Sequence, residues 1–120
     1  MKNQILIIGI CIISTTSFAD CSIHQDQMKA FKCMEQQLKT DKAKMNKLYQ
    51  QVYNQYDEKN KSLLEKSQKA WLNYRIAQCD DLMSNLSYGA LGLASGFANL
   101  DCQISSTEFR LKELKSLIEN

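Results

Sequence analysis

Four cysteines, Cys21, Cys33, Cys79 and Cys102, are the residues most able to do covalent chemistry, with Cys11 a fifth inside an apolar N-terminal run. None is arranged as Cys-x-x-Cys, and the only histidine is His24. Zinc binding and thiol redox catalysis therefore both lack their spacing. An even set in a short exported chain points to two disulfides, with three connectivities open. Pairing nearest in sequence would close two short loops, each worth about 3 kcal/mol in chain-entropy terms. The acidic pairs Asp57-Glu58 and Asp80-Asp81 are the remaining candidates, since two carboxylates can cleave a glycoside. Adjacent residues on a helix point about 100° apart, however, and both pairs stand in polar stretches where solvation accounts for them. We expect no enzyme, no metal and no cofactor.

Export is read from the N-terminus. Met1-Lys2 is a short positive start, Ile5 to Ile13 is apolar, and Ser17-Phe18-Ala19 has the small-x-small form of a signal peptidase site. The apolar run is too short to span a bilayer. A lipoprotein signal is the competitor because Cys21 follows closely, but Asp20 stands where such signals want Gly, Ala or Ser. Residues 1–19 are thus expected to be a cleaved signal peptide. Residues 20–120 are then a single periplasmic or secreted domain with no membrane attachment. The full chain carries +2, and without Lys2 it is nearer neutral, so no basic patch suggests nucleic acid. Lys39, Lys42, Lys44 and Lys47 read as a solvated helix face.

The elements that must hold these residues are helical. Phe31, Leu38, Met45 and Val52 recur every seven residues, which gives an amphipathic helix over about 25–56, continuous or broken near Thr40-Asp41. Asp57 to Lys61 reads as a polar turn. Leu63, Leu64, Trp71, Tyr74 and Leu82 mark a second helix over about 62–85. Ser87 to Leu100 holds Gly89, Gly92 and Gly96 and reads as a mobile or irregular loop with a short helical turn near Phe97 to Leu100, the glycine spacing fitting no phosphate-binding motif. Its apolar residues either pack back on the helices or face a partner. Ser105 with Glu108 forms a capping box, and Ile104 with Phe109 a hydrophobic staple, so the last helix is expected to start there. The fold class is all-α: an antiparallel three- to four-helix bundle stapled by two disulfides, with one long glycine-containing loop.

Trp71, Arg75 and Cys79 share one face of the second helix by their four-residue spacing. Trp71 reads as the core anchor. Arg75 is placed to stack on it or to pair with a carboxylate of the last helix, and Arg110 to do the reciprocal job.

Taken in order, these residues resemble the lysozyme-inhibitor LprI-like family of small exported bacterial proteins. The resemblance rests on Cys21 and Cys33, on Asp41 with Leu48-Tyr49, and on Leu63-Leu64-x-x-x-Gln68-x-x-Trp71-x-x-Tyr74-Arg75-x-x-x-Cys79. It continues through Cys102, Arg110-Leu111 and Leu114. It implies that the two early cysteines pair with each other and the two late ones likewise. It also implies a protein partner, a lysozyme whose muramidase activity is blocked. Animal-type lysozymes are strongly cationic, and an inhibitor steering towards one benefits from acidic groups. Here these are local: Asp80, Asp81 and Asp101 flank the glycine loop, so the partner-binding surface is expected there, with Tyr88 and Phe97. The alternative is a non-catalytic structural or interaction module that binds another envelope protein or a wall component. No sequence feature sets an oligomeric state.

Overall fold

A computed structural model of the protein describes residues 20–87 and 93–118. The signal-peptide expectation for residues 1–19 and the expectation for Tyr88 lie outside the described residues. A 3-10 turn, Cys21–Ile23, leads into helix α1, Gln27–Gln55. The Asp26 carboxylate caps α1 by accepting from the backbone N–H groups of Met28 (2.9 Å) and Lys29 (3.4 Å). Those donors have no helical carbonyl within reach, which is why an acidic residue there starts the helix. The helix passes Thr40 and Asp41 without a break.

Only Tyr56 and Asp57 separate α1 from α2, Glu58–Arg75. The polar stretch expected as a turn is instead the cap and first turn of α2. Asp57 accepts from the Asn60 N–H at 2.8 Å, and Glu58 sits at the positive end of the helix dipole, 2.9 Å from Lys61. Beyond Arg75 the rod widens into a π-helix, Ile76–Met83, and ends in the single turn α3, Ser84–Ser87. Helix α4 then runs Leu93–Ile118.

That long α4 corrects two expectations. The segment from Leu93 onward is continuous helix, so the helical turn expected near Phe97 to Leu100 belongs to α4 and only the loop expected for 93–96 fails. Ser105 caps nothing because it lies exposed in mid-helix. Ile104 is buried while Phe109 is 61% exposed, so they form no staple, and Glu108 accepts from Gln37 of α1 at 3.4 Å. Packing upstream overrides the local start signal. Leu100 and Ile104 bury against Leu38, with Phe31 and Met34 alongside, and Phe97 meets Phe31 edge-on at 5.3 Å. Gly96 makes room for that approach, since a Cβ there would come within 2.8 Å of Phe31 Cε2.

Sequence neighbours run antiparallel, so the first and third rods are parallel. Along α2 and α4, Cys79 meets Cys102, Trp71 meets Ser106 and Gln68 meets Arg110; along α1 and α4, Phe31 meets Phe97 and Lys42 meets Gln103. The main core joins Met45, Val52, Leu64, Trp71 and Leu114, while Leu38, Leu100 and Ile104 form a smaller cluster towards the disulfide end. The seven-residue stripe of α1 contributes to both. Two disulfides, Cys21–Cys33 and Cys79–Cys102, tie the ends, with Cα separations of 5.6 and 5.5 Å. The protein is all-α and doubly stapled.

Candidate functional site

The π-helical turn organises the first feature of note. Widening a helix frees main-chain carbonyls that must find donors elsewhere. The Cys79 carbonyl accepts from the Asn99 amide at 3.0 Å and the Ser84 hydroxyl at 3.1 Å, and the Ser84 carbonyl accepts from Ser95 at 3.3 Å. Asp80 is drawn into the same network. Its carboxylate accepts from Asn99 at 2.9 Å and from Gln103 at 3.1 Å. Asp81 and Asp101 stay exposed beside it. Cys79 itself is fully buried, and its bridge to Cys102 ties the π turn to α4 next to Asp80.

Two cations lie behind the patch. Lys42 of α1 donates to the Gln103 side-chain oxygen at 3.2 Å. Burial, then the nearby Arg75 charge, holds Lys42 below its ordinary pKa, while Asp80 acts weakly the other way. The Arg75 guanidinium lies 5.4 Å from the Trp71 ring centre and makes no ion pair among the described residues, and its Nε is buried without a partner. Arg110 is far better satisfied. It donates to Gln68 at 2.9 Å and to Ser67 and Glu113 at 3.1 Å each, and is 5% exposed. Those bonds make Arg110 a clamp between α2 and α4.

The second feature is a groove of about 710 Å³ between the same two helices. Ala70, Ser105 and Ser106 are small enough to leave it open, and Trp71 lies beneath. Tyr74 and Phe109, 59% and 61% exposed, line it from opposite helices. Gln78 stands towards the disulfide end; Ser67, Arg110 and Glu113 close the other. The Trp71 indole N–H donates to the Ser106 carbonyl at 3.3 Å, whereas the buried Ser106 hydroxyl has no partner.

The residues singled out in the sequence are thus divided. Trp71, Arg75 and Cys79 line up on one face of the second rod. Asp80, Asp81 and Asp101 are exposed, and Asp80 and Asp101 each adjoin a cysteine of the Cys79–Cys102 bridge. Phe97 is half-buried against Phe31 and Tyr88 is not described. Sequence reasoning missed Ser95, Asn99 and Gln103, which service the π turn, and missed Tyr74 and Phe109 as a facing pair. A signal existed for the first three: Ser95, Asn99, Cys102 and Gln103 follow helical spacing, which reading the segment as a loop concealed.

Comparison with protein families matches residues 20–114 to the lysozyme inhibitor LprI model. No curated protein and no solved structure matches.

Proposed function

Because the chain belongs to the lysozyme inhibitor LprI family, we propose that it binds a lysozyme and blocks its muramidase activity outside the cytoplasm. The family match over residues 20–114 is the observation that carries this reading. Two disulfides in a small domain accord with an oxidising compartment, periplasmic or extracellular.

The binding surface in this proposal is the acidic patch at the π turn. Asp80 is held by Asn99 and Gln103, Asp81 and Asp101 face solvent, and the Cys79–Cys102 bridge fixes the two backbones beneath them. A surface ordered before binding loses less entropy on association. Its negative groups attract a cationic target and speed encounter, an effect that weakens with salt. Phe97, expected at this surface from the sequence, is half-buried against Phe31.

The test is a cell-wall lysis assay with the purified, oxidised protein against a panel of lysozymes. Inhibition is expected for at least one. Replacing Asp80→Ala and Asp81→Ala together should raise the concentration needed for half-inhibition while the protein stays folded, its melting temperature falling by only a few degrees as Asn99 and Gln103 lose the exposed Asp80 carboxylate. Full potency in that double variant would move the site away from the π turn. Absence of inhibition and of binding across the panel at micromolar concentrations would remove the reading altogether.

A further inference from the structure

We infer that Asn99 and Gln103 are positioning residues that fill one oxygen of the Asp80 carboxylate and leave the other to receive a single-pronged cation, the ammonium of a partner's lysine. The inference rests on the π-turn patch being the contact surface, and it adds which partner group that surface favours. Asn99 donates to Asp80 Oδ1 at 2.9 Å, and Gln103 donates to the same oxygen at 3.1 Å. A carboxylate oxygen has two lone pairs, so Oδ1 is full. Asp80 is exposed, and among the described residues no hydrogen bond reaches its Oδ2. A guanidinium in fork geometry needs both oxygens, whereas an ammonium is a point charge that one oxygen can receive.

Neither amide can turn round without loss. Lys42 of α1 donates to Gln103 Oε1 at 3.2 Å, which directs Gln103 Nε2 towards Asp80 and Asn99. Asn99 uses its oxygen to accept from Gln103 at 2.7 Å. Its Nδ2 therefore serves the Cys79 carbonyl at 3.0 Å and the Ser84 hydroxyl at 3.1 Å as well as Asp80. Reversing either amide would set oxygen against oxygen and leave members of a half-buried network unpaired. Order thus reaches Asp80 from Lys42 on α1 through two side chains of α4, and both of the bonds it delivers fall on Oδ1.

Tetralysine and tetraarginine peptides carry equal side-chain charge and differ in head group, so titrating each into the oxidised protein tests the assignment by NMR at Asp80. Tetralysine is expected to bind at least as tightly as tetraarginine, against arginine's ordinary advantage for carboxylates. Gln103→Leu opens a lone pair on Oδ1, so the ratio of the two dissociation constants should move towards tetraarginine by roughly threefold. Asp80→Ala should bring back the ordinary arginine preference at the remaining carboxylates. In the free protein the Gln103 side-chain amide protons should exchange slowly with water, and faster in Asp80→Ala. The parent comparison involves no substitution, so it judges the proposal even where a variant melts early. The proposal is overturned if neither peptide shifts Asp80 at millimolar concentration, or if tetraarginine binds the parent more tightly. A ratio unmoved by Gln103→Leu, a lysine preference that survives Asp80→Ala, or a Gln103 amide exchanging like an exposed glutamine would overturn it equally. None of these readouts involves a lysozyme, so failure here leaves the lysozyme reading standing, and failure of the lysis assay leaves this test in force.

Discussion

Replacing Trp71 with alanine probes the joint on which the packing of α2 depends. The side chain is 8% exposed, so nearly all of the roughly 150–250 Å² a buried aromatic can cover is withdrawn from water. At about 25 cal/mol per Å² that is worth ~4–6 kcal/mol in full. Alanine retains part of it, and Leu64 and Leu114 can relax partway into the space, as measured tryptophan truncations of ~3–5 kcal/mol indicate. Two smaller losses accompany the cavity. The Ser106 carbonyl gives up the indole N–H at 3.3 Å but lies within a helix whose own amides remain available, so this costs ~1 kcal/mol or less. Arg75 loses the ring 5.4 Å away, a contact worth ~0.5–1 kcal/mol. The expected total is about 4 kcal/mol. For a domain of this size it lowers the melting temperature by roughly 15 °C, at ~4 °C per kcal/mol. Trp71→Phe keeps most of the apolar area and loses the N–H, so it should cost ~1–2 kcal/mol. Far-ultraviolet circular dichroism during heating, with both disulfides kept oxidised so that the transition stays two-state, reads both variants. A shift under about 4 °C for Trp71→Ala, equivalent to ~1 kcal/mol, would falsify the anchor role. A phenylalanine variant as damaged as the alanine one would show that the N–H bond rather than the buried area holds the joint.

Gly96→Leu should destabilise by ~1–3 kcal/mol, because the added side chain drives into the Phe31 ring already 2.8 Å from a Cβ position. In a Phe31→Leu background, Gly96→Ala should instead stabilise by up to ~1 kcal/mol through helix propensity; the same sign of effect in both backgrounds would contradict the contact. Lys42 gives a pH signature. Burial and Arg75 hold its folded pKa below the ordinary 10.5, so its protonated form is the destabilising one. That cost is complete below the folded pKa and fades as pH rises from there towards 10.5. Wild type should therefore gain stability relative to Lys42→Gln across that window in chemical denaturation, and a pH-independent difference would refute the assigned cause.

How far the fold could be read in advance depended on whether a residue's fate was local. The stripe of Phe31, Leu38, Met45 and Val52 is a one-helix periodicity, and it placed α1 and its buried face because nothing else in the chain competes for those positions. The Ser105-Glu108 box is just as local, yet it failed. The α4 residues before it, Phe97, Leu100 and Cys102, pack or bond to other helices and carry the helix through. Gly96 misled in the same way: it signals a loop by composition but serves a helix–helix contact visible only once Phe31 is opposite it. The π turn had no sequence signature at all, since it depends on Asn99, Ser84 and Ser95 arriving to satisfy freed carbonyls. Asp80 and Asp101 each stand next to a cysteine of the Cys79–Cys102 pair, a neighbourhood that follows from the sequence once the pairing is known. The groove was not legible, because Tyr74 and Phe109 belong to different helices and meet only through the pairing of α2 with α4.

Calorimetric titration of lysozyme into the oxidised protein addresses the central claim most directly. The account expects saturable one-to-one binding at micromolar or lower dissociation constant for at least one lysozyme, weakening with added salt and with Asp80→Ala plus Asp81→Ala. No heat of binding with any lysozyme, from a protein that melts cooperatively in the same buffer, would contradict it.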